Sequence, residues 1–308
     1  MDNFKNKVRI ITEHNDEYIE MLNQAGLPDL IITDKNNDAN IILGSPPLIT
    51  PIVDEFSHLE WMQSAYAGVD SLISPELRQD YQLTNVKGIF GEQISEYVLA
   101  YTISHFRHFN TYRTQQSEKL WLPHRYRTVS GKKMLILGTG AIGNYLAKSA
   151  SSFGLHTIGV NRTGIPPKDS AFTDIVHIEQ VHDVLGEMDV IVSTLPNTPH
   201  TVGIFDQTFF SCCQQALFFN VGRGHSVHTE SLLFALENDN IRHAFLDVFI
   251  NEPISQACPY WLNPNVTVTP HIAACSFPEQ VFEIFKENYL LWKSGFNLLN
   301  TIDFEKGY

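Results

Sequence analysis

Short apolar runs alternate with polar, helix-compatible segments along the first part of the chain. The runs lie at residues 8–11, 30–32, 41–43 and 59–62. Apolar runs of this length are typical of buried strands, and helical crossovers between them are typical of a parallel sheet. The pattern therefore predicts one small α/β domain.

A segment with helical periodicity follows at residues 93–109. Apolar residues mark the faces of the expected helix, at Ile94, Tyr97, Val98, Tyr101, Ile103 and Phe106. This predicts a helix that connects two domains, because a second series of strand and helix patterns begins at Lys133. The apolar runs of that series lie at residues 134–137, 156–160, 190–193, 216–219, 244–246 and 266–268. They correspond to the strands of a complete doubly wound dinucleotide-binding domain.

The end of the chain is expected to return to the first domain. Ser276 and Glu279 have the spacing of a capping box, which predicts a last helix from Ser276 to about residue 298. The predicted fold class is α/β, with two Rossmann-like doubly wound domains and a cleft between them. The dinucleotide-binding domain, residues 98–273, is inserted in a discontinuous, flavodoxin-like substrate domain, residues 1–97 and 274–308.

Composition supports a globular chain and excludes some partners. The 308 residues are 43% hydrophobic and 18% charged, with a formal net charge of -13. Such a charge repels nucleic acid and anionic lipid surfaces, and no apolar run approaches the roughly 20 residues of a membrane span. We expect a cytoplasmic protein. The cysteines, Cys212, Cys213, Cys258 and Cys275, lack C-x-x-C spacing and are expected to be reduced thiols without a metal.

A glycine-rich loop directly follows the predicted strand at residues 134–137 and opens a helix. It fits the G-x-G-x-x-G pattern of dinucleotide-binding domains. The glycines of this pattern permit the tight turn, the approach of a pyrophosphate and the packing of helix against strand. The predicted cofactor-binding residues are Gly138, Thr139, Gly140, Ala141, Ile142 and Gly143.

The type of dinucleotide is indicated about twenty positions further on. NAD-binding domains carry a carboxylate there for the ribose 2'-hydroxyl, whereas this chain has Asn161, Arg162 and Thr163. Arg162 can form charge-assisted hydrogen bonds to a 2'-phosphate, and Thr163 can donate a hydroxyl. We therefore predict that NADPH is preferred, with NAD as the other cofactor. Alternatively, Arg162 is a solvated residue or stacks on adenine without selecting the phosphate.

Six segments, in order along the chain, resemble those of the D-isomer-specific 2-hydroxyacid dehydrogenase family, and within it the glyoxylate and hydroxypyruvate reductase type. They lie at residues 64–70, 138–143, 193–198, 220–224, 247–253 and 269–273, and the resemblance covers essentially the whole chain. It implies an oxidoreductase that transfers a hydride from NAD(P)H to a small 2-keto acid, such as glyoxylate or hydroxypyruvate, to give the D-2-hydroxy acid.

Three residues suit this chemistry, which needs a cation for the carboxylate and a proton donor for the carbonyl oxygen. Arg223 can hold a carboxylate and polarise the adjacent carbonyl. His271 can protonate the developing alkoxide, and Glu252 can pair with the imidazolium and orient its ring. The resemblance assigns catalytic roles to the same residues.

The resemblance also implies further contacts. Tyr66, Ala67 and Gly68 are expected to bind the substrate carboxylate through backbone N–H groups, beside Arg223 and His271, although Tyr66 is larger than the residue often found there. The remaining expected cofactor contacts are Leu195, Pro196, Thr201, Val221, Gly222 and Asp247, the last beside the nicotinamide. Residues 120–124 resemble the segment that commonly forms the family's dimer contact, so a homodimer is expected; alternatively, this segment is a lid within the chain.

Other functions are compatible with parts of the pattern. The family's transcriptional corepressors keep the same three residues, so a cofactor-sensing binding protein is the alternative function, and turnover of NADPH with 2-keto acids would discriminate. Formate dehydrogenases are related enzymes, but they have a Gln–His pair where this chain has Glu252 and His271. This difference disfavours that activity. The long type of phosphoglycerate dehydrogenase is disfavoured because no regulatory domain follows Tyr308.

Overall fold

The computed structural model describes residues 5–305. They form two compact units, each with its own parallel sheet. The first unit runs to Ile89 and resumes at Ser276, and the second is Phe90–Cys275. The sequence-based division lies after residues 97 and 273, so the helix predicted as a connection falls within the second unit.

A five-stranded parallel sheet forms the first unit. Its strands are β1 (Asn6–Ile11), β2 (Leu30–Ile32), β3 (Ile41–Gly44), β4 (Trp61–Ser64) and β5 (Gln82–Thr84). Their order is β2-β1-β3-β4-β5, which is the order of flavodoxin-like sheets. Helices α1 (Asn15–Ala25) and α2 (Pro46–Ile49) follow β1 and β3.

A seven-stranded parallel sheet forms the second unit. Its strands are β6 (Lys133–Leu137), β7 (His156–Asn161), β8 (Asp174–His177), β9 (Val190–Ser193), β10 (Ala216–Asn220), β11 (Ile241–Leu246) and β12 (Val266–Val268). Their order is β12-β11-β10-β9-β6-β7-β8, so the strand order reverses between β6 and β9. Ligands of doubly wound sheets bind at the carboxyl ends of the strands beside such a reversal. The predicted fold class is confirmed.

The helices of the second unit are α3 (Gly91–Phe106), α4 (Phe109–Ser117), α5 (Ala141–Ser152), α6 (Gln207–Ser211) and α7 (Thr229–Glu237). The single helix predicted at residues 93–109 is therefore wrong at its end. His108 has a left-handed backbone with φ of 58°. A left-handed residue cannot continue a right-handed helix, so the chain starts a new helix at Phe109.

Helix α8 (Pro278–Lys293) packs on the sheet of the first unit. Phe285 stacks on Trp61 of β4 with ring centroids 5.3 Å apart, and both side chains are fully buried. Asn288 Nδ2 donates to Gln63 Oε1 at 3.0 Å. The aromatic stack and the buried hydrogen bond hold the end of the chain in the first unit.

The start of α8 differs from the prediction. The residue preceding the helix is Phe277, which makes no capping hydrogen bond through its side chain, so the capping box predicted from Ser276 is wrong. Pro278 is the first helical residue. Proline suits this position because the first N–H groups of a helix have no partner within it.

Within residues 5–305, no helix is both long and apolar enough to cross a membrane. Over the same residues, no grouping of His, Cys, Asp and Glu side chains could hold a metal ion. The cysteines are free thiols, and burial raises the pKa of Cys213 to about 12.

Two histidines meet where α3 packs against the second sheet. The rings of His105 and His243 lie 5.9 Å apart, and a His243 ring nitrogen lies 2.8 Å from Thr267 Oγ1. Burial lowers the pKa of each to about 4, and His243, Arg242 and His108 add charge repulsion on His105. Folding therefore favours the neutral form of both rings.

Acid should destabilise the protein through this pair. The unfolded rings take up protons near pH 6.5 and the folded rings only near pH 4, so stability falls as the pH drops through this window. We expect a smaller fall of the thermal midpoint between pH 7.5 and pH 5 in His243→Gln than in wild type. His58→Gln, at an exposed position, is the control. Equal falls of the thermal midpoint in wild type, His243→Gln and His58→Gln would contradict this role of the pair.

Candidate active site

The glycine-rich loop joins β6 to α5 at the reversal of the strand order. Gly138 has φ of 106°, and a Cβ at this position would lie 2.5 Å from Thr194 Oγ1. A Cβ on Gly143 would lie 2.0 Å from the Gly138 carbonyl oxygen. In contrast, a Cβ built on Gly140 would have no atom within 4 Å from the described part of the chain, its two chain neighbours aside. The loop is thus tightly packed on its inner side and open beside Gly140, where the first N–H groups of α5 suit a pyrophosphate.

The other predicted residues of this loop lie around the same turn. Thr139 precedes Gly140, while Ala141 and Ile142 open α5. Ala141 is exposed and Ile142 is half-buried. These positions fit a bound dinucleotide.

Asn161 shapes the turn that follows β7. Its Oδ1 accepts hydrogen bonds from the backbone of Thr163 and Gly164 at 3.0 and 2.7 Å. Its Nδ2 donates to Thr139 Oγ1 at 3.2 Å and to the Ile165 carbonyl at 2.9 Å. The amide therefore ties the turn to the glycine-rich loop, and the turn carries Arg162 and Thr163 at exposed positions.

Asp247, at the end of β11, organises the next loop of the sheet. The residue is 2% exposed. Its Oδ1 accepts the Thr269 hydroxyl at 2.6 Å and the Ile272 N–H at 2.9 Å, and its Oδ2 accepts the Ala273 N–H at 2.9 Å. Hydrogen bonds to a buried carboxylate are strong, so Asp247 fixes the segment at residues 269–273.

His271 lies in this segment and is paired with Glu252. The His271 backbone is left-handed, with φ of 55°, and its N–H donates to the Asp247 carbonyl at 2.9 Å. The ring Nδ1 lies 2.7 Å from Glu252 Oε2. The side chain of His271 is 50% exposed, and no residue in the described part of the chain is hydrogen-bonded to Nε2. Nε2 is therefore the ring nitrogen available to a ligand.

Arg223 lies in the loop that follows β10. Its carbonyl oxygen accepts hydrogen bonds from Asn220 Nδ2 at 3.0 Å and Ser226 Oγ at 2.7 Å, and both of these side chains are buried. Its Nη1 donates to the Gly222 carbonyl at 2.8 Å. The backbone of the loop is thus fixed, and the half-buried guanidinium lies at the carboxyl edge of the sheet.

A close backbone approach links Arg223 to the Glu252–His271 pair. A Cβ on Gly224 would lie 2.0 Å from the carbonyl carbon of Phe249, so only glycine fits there. The Phe249 N–H in turn donates to Glu252 Oε1 at 2.8 Å. The loops after β10, β11 and β12, which are neighbouring strands, therefore bring the three predicted catalytic residues to one edge of the sheet.

The loop after β9 contains other predicted cofactor contacts. Thr201 Oγ1 donates to the Pro196 carbonyl at 2.6 Å and accepts from the Thr198 N–H at 2.9 Å, so this hydroxyl folds the loop. A Cβ on Gly222 would lie 2.5 Å from the Leu195 carbonyl oxygen. The loops after β9 and β10 are therefore in close contact, and Val221, which follows β10, is buried.

In the first unit, Tyr66 lies just after β4 and contacts residues that the sequence did not single out. Tyr66 Oη donates to Glu13 Oε1 at 2.9 Å, and Ser45 Oγ donates to Glu13 Oε2. Burial raises the pKa of Tyr66. Burial acts to raise the pKa of Glu13 as well, but the hydrogen bonds from Ser45, its own backbone and Tyr66 hold it below its usual value. Glu13 and Ser45 follow β1 and β3, so their positions at strand ends were the available signal.

Comparison with known proteins identifies the family. Residues 99–273 match the family model described as "D-isomer specific 2-hydroxyacid dehydrogenase, NAD binding domain". The chain belongs to the D-isomer-specific 2-hydroxyacid dehydrogenase family. It is accordingly an NAD(P)-dependent oxidoreductase, as predicted from its motifs.

Comparisons with individual proteins support this family assignment. Glyoxylate/hydroxypyruvate reductase A of Serratia proteamaculans is 31% identical over 252 residues, which are 79% of this chain and 79% of that protein. A family protein from Aeromonas salmonicida has a crystal structure with a TM-score of 0.93 and 38% identity, covering 97% of this chain and 99% of its own. The NADPH-dependent glyoxylate/hydroxypyruvate reductase of Sinorhizobium meliloti, solved with NADP and sulfate, has a TM-score of 0.85 and 25% identity, covering 99% and 100%.

Asp247→Asn should weaken the fold of this site. An amide has only one acceptor oxygen, so at least one of the donors at residues 269–273 loses its partner, which costs about 1–3 kcal/mol. We expect urea unfolding to show this loss of stability, together with lower turnover. Asp206→Asn is the control, because Asp206 caps α6 through one oxygen and asparagine caps equally well. Equal stability of both variants would contradict the role of Asp247.

Proposed function

We propose that this protein reduces small 2-keto acids, such as glyoxylate or hydroxypyruvate, to D-2-hydroxy acids, with NADPH as the preferred cofactor. The observation that carries this proposal is the linked arrangement of Arg223, Glu252 and His271 at one edge of a dinucleotide-binding sheet. A guanidinium, a carboxylate and an imidazole are the groups that this reduction requires. The relatives named glyoxylate/hydroxypyruvate reductase support the substrate class.

The proposed mechanism divides binding and proton transfer among these residues. When bound, NADPH supplies the hydride that reduces the keto carbon. Arg223 binds the substrate carboxylate and polarises the carbonyl. His271, in its imidazolium form, donates the Nε2 proton to the carbonyl oxygen, and Glu252 keeps the ring oriented through Nδ1. Solvent then returns a proton to the half-exposed ring.

We also assign the loop of Tyr66, Ala67 and Gly68 to binding of the substrate carboxylate through backbone N–H groups. Asp247 is assigned a second role beside the nicotinamide. Its carboxylate already accepts three hydrogen bonds, so this role is electrostatic.

The reaction is tested by following NADPH and NADH oxidation with a panel of 2-keto acids. We expect turnover with NADPH and a small 2-keto acid. No turnover with any acid, in a protein that still binds NADPH, would favour the cofactor-sensing alternative.

His271→Ala should lower turnover by about 100-fold or more, because the proton donor is lost while the cofactor loops are unchanged. Fluorescence titration should show nearly unchanged NADPH affinity. The exposed His156, changed to alanine, provides the control. Wild-type turnover of His271→Ala at saturating substrate would remove this residue from the mechanism.

Arg162 is the residue on which the cofactor preference rests. Charged hydrogen bonds contribute about 1.5–3 kcal/mol, so wild type should prefer NADPH over NADH by about tenfold to a hundredfold in kcat/KM. Arg162→Ala should lose most of this preference by weakening NADPH use alone. Arg113→Ala, at an exposed position on α4, should keep it. If wild type uses NADH as well as NADPH, Arg162 does not bind the phosphate.

We further propose that the protein is a cytoplasmic homodimer. Residues 120–128 form neither helix nor strand, and Trp121 is 98% exposed between Leu120 and Leu122, which are 54% and 57% exposed. Exposed apolar patches commonly mark interfaces, and the second copy of the chain is the partner that the family resemblance implies. The free thiols are typical of a reducing compartment.

Trp121→Asp should convert the dimer into a monomer, because a charge replaces the most exposed apolar side chain of the segment. Size-exclusion chromatography with light scattering measures the mass directly. Phe153→Asp, at a 50% exposed position after α5, should leave the dimer intact. A monomeric wild type at micromolar concentration would contradict the proposal.

A further inference from the structure

The carbonyl groups of the loop at residues 66–68 are held by neighbouring residues of the first unit. The Tyr66 carbonyl accepts the Ser64 hydroxyl at 2.8 Å and the Val86 N–H at 3.4 Å. The Ala67 carbonyl accepts Asn85 Nδ2 at 2.7 Å. Both carbonyls therefore point towards donors of the protein, two of which lie in the segment that follows β5.

This arrangement determines where the N–H groups of the loop point. In a planar trans peptide, the N–H points opposite to the carbonyl of the same unit. The N–H groups of Ala67 and Gly68 therefore point away from Asn85 and Val86, and no described residue accepts a hydrogen bond from either. Both residues are half-buried rather than covered. Successive N–H groups facing one side form a concave site for an anion.

Asn85 is the side chain that fixes this orientation. It is 6% exposed, and its backbone N–H is bonded to the Asn300 carbonyl at 3.1 Å. Its Oδ1 is buried, and no group among residues 5–305 is hydrogen-bonded to it. Turning the amide over would place Oδ1 against the Ala67 carbonyl, so the observed orientation is the favourable one.

We propose that Asn85 is a positioning residue for the substrate carboxylate. By holding the Ala67 carbonyl, it keeps the Gly68 N–H directed at the anion, and it makes no contact with the anion itself. This role rests on the proposed function, in which the loop binds the carboxylate of a 2-keto acid. It adds a residue outside the loop on which carboxylate affinity depends.

The test uses Asn85→Asp, which has the same shape but no donor for the Ala67 carbonyl. Oxamate serves as the probe because it carries the carboxylate of a 2-keto acid and does not react. Isothermal titration of the NADP-loaded protein should show about tenfold weaker oxamate binding, and KM for the keto acid should rise similarly at nearly unchanged kcat. Asn85→Gln keeps an amide donor and should recover part of the affinity.

Asn40→Asp is the matched control. Asn40 is also a buried amide of the first unit, 7% exposed, but it bonds Lys7, Asn6 and Glu60 at the amino ends of the strands. It should lose stability without losing oxamate affinity. Wild-type oxamate affinity in Asn85→Asp, or equal losses in both variants, would overturn the proposal.

A second measurement needs no variant. In wild-type protein labelled with ¹⁵N-alanine and ¹⁵N-glycine, oxamate should shift the amide resonances of Ala67 and Gly68. Unshifted resonances at saturating oxamate would overturn the proposal. If oxamate binds and shifts them but no 2-keto acid is reduced, the anion site stands and the proposed reaction fails.

Discussion

The geometry of the candidate active site depends on the buried carboxylate of Asp247. A carboxylate that is 2% exposed must be compensated by donors, and within residues 5–305 its donors all come from the segment at residues 269–273. These hydrogen bonds hold the left-handed turn at His271 and thereby direct its ring to Glu252. Without the carboxylate, the N–H groups of Ile272 and Ala273 would lose their hydrogen bonds, and the turn that carries His271 would be held less firmly.

Neighbouring parallel strands bring the remaining groups to the same edge. The loops after β10 and β11 are in such close contact that Gly224 cannot carry a side chain. The glycine-rich loop after β6 and the Asn161 turn after β7 lie at the same carboxyl edge of the sheet. The glycine-rich loop and the Asn161 turn thus follow β6 and β7, and the candidate catalytic residues follow β10, β11 and β12 of the same sheet.

The sequence predicted the fold class, the family and the glycine-rich loop correctly, because buried parallel strands are continuous apolar runs and the glycine spacing is specific. It missed β5 and β8, whose short edge segments mix polar and apolar residues and lack a clear period. The break at His108 depends on a backbone angle that residue type does not determine. The capping box failed because Pro278 starts the helix two residues later.

Residues that act through others were the hardest to predict. Asn161 was expected to contact the cofactor, and the structure adds that its amide folds the turn after β7. Asn85 and Glu13 belong to no sequence motif that would have singled them out. Each contacts the loop after β4 through one tertiary hydrogen bond. Contacts of this kind join residues far apart in the chain and become visible only in the folded structure.

Transfer of deuterium tests the central claim, which is direct transfer of hydride from NADPH to one face of the carbonyl carbon of a 2-keto acid. The protein is incubated with hydroxypyruvate and NADPH deuterated at both positions of nicotinamide C4, and the product is analysed by mass spectrometry and chiral chromatography. We predict D-glycerate with one deuterium at C2. Product without deuterium, or a racemic or L product, would contradict the account.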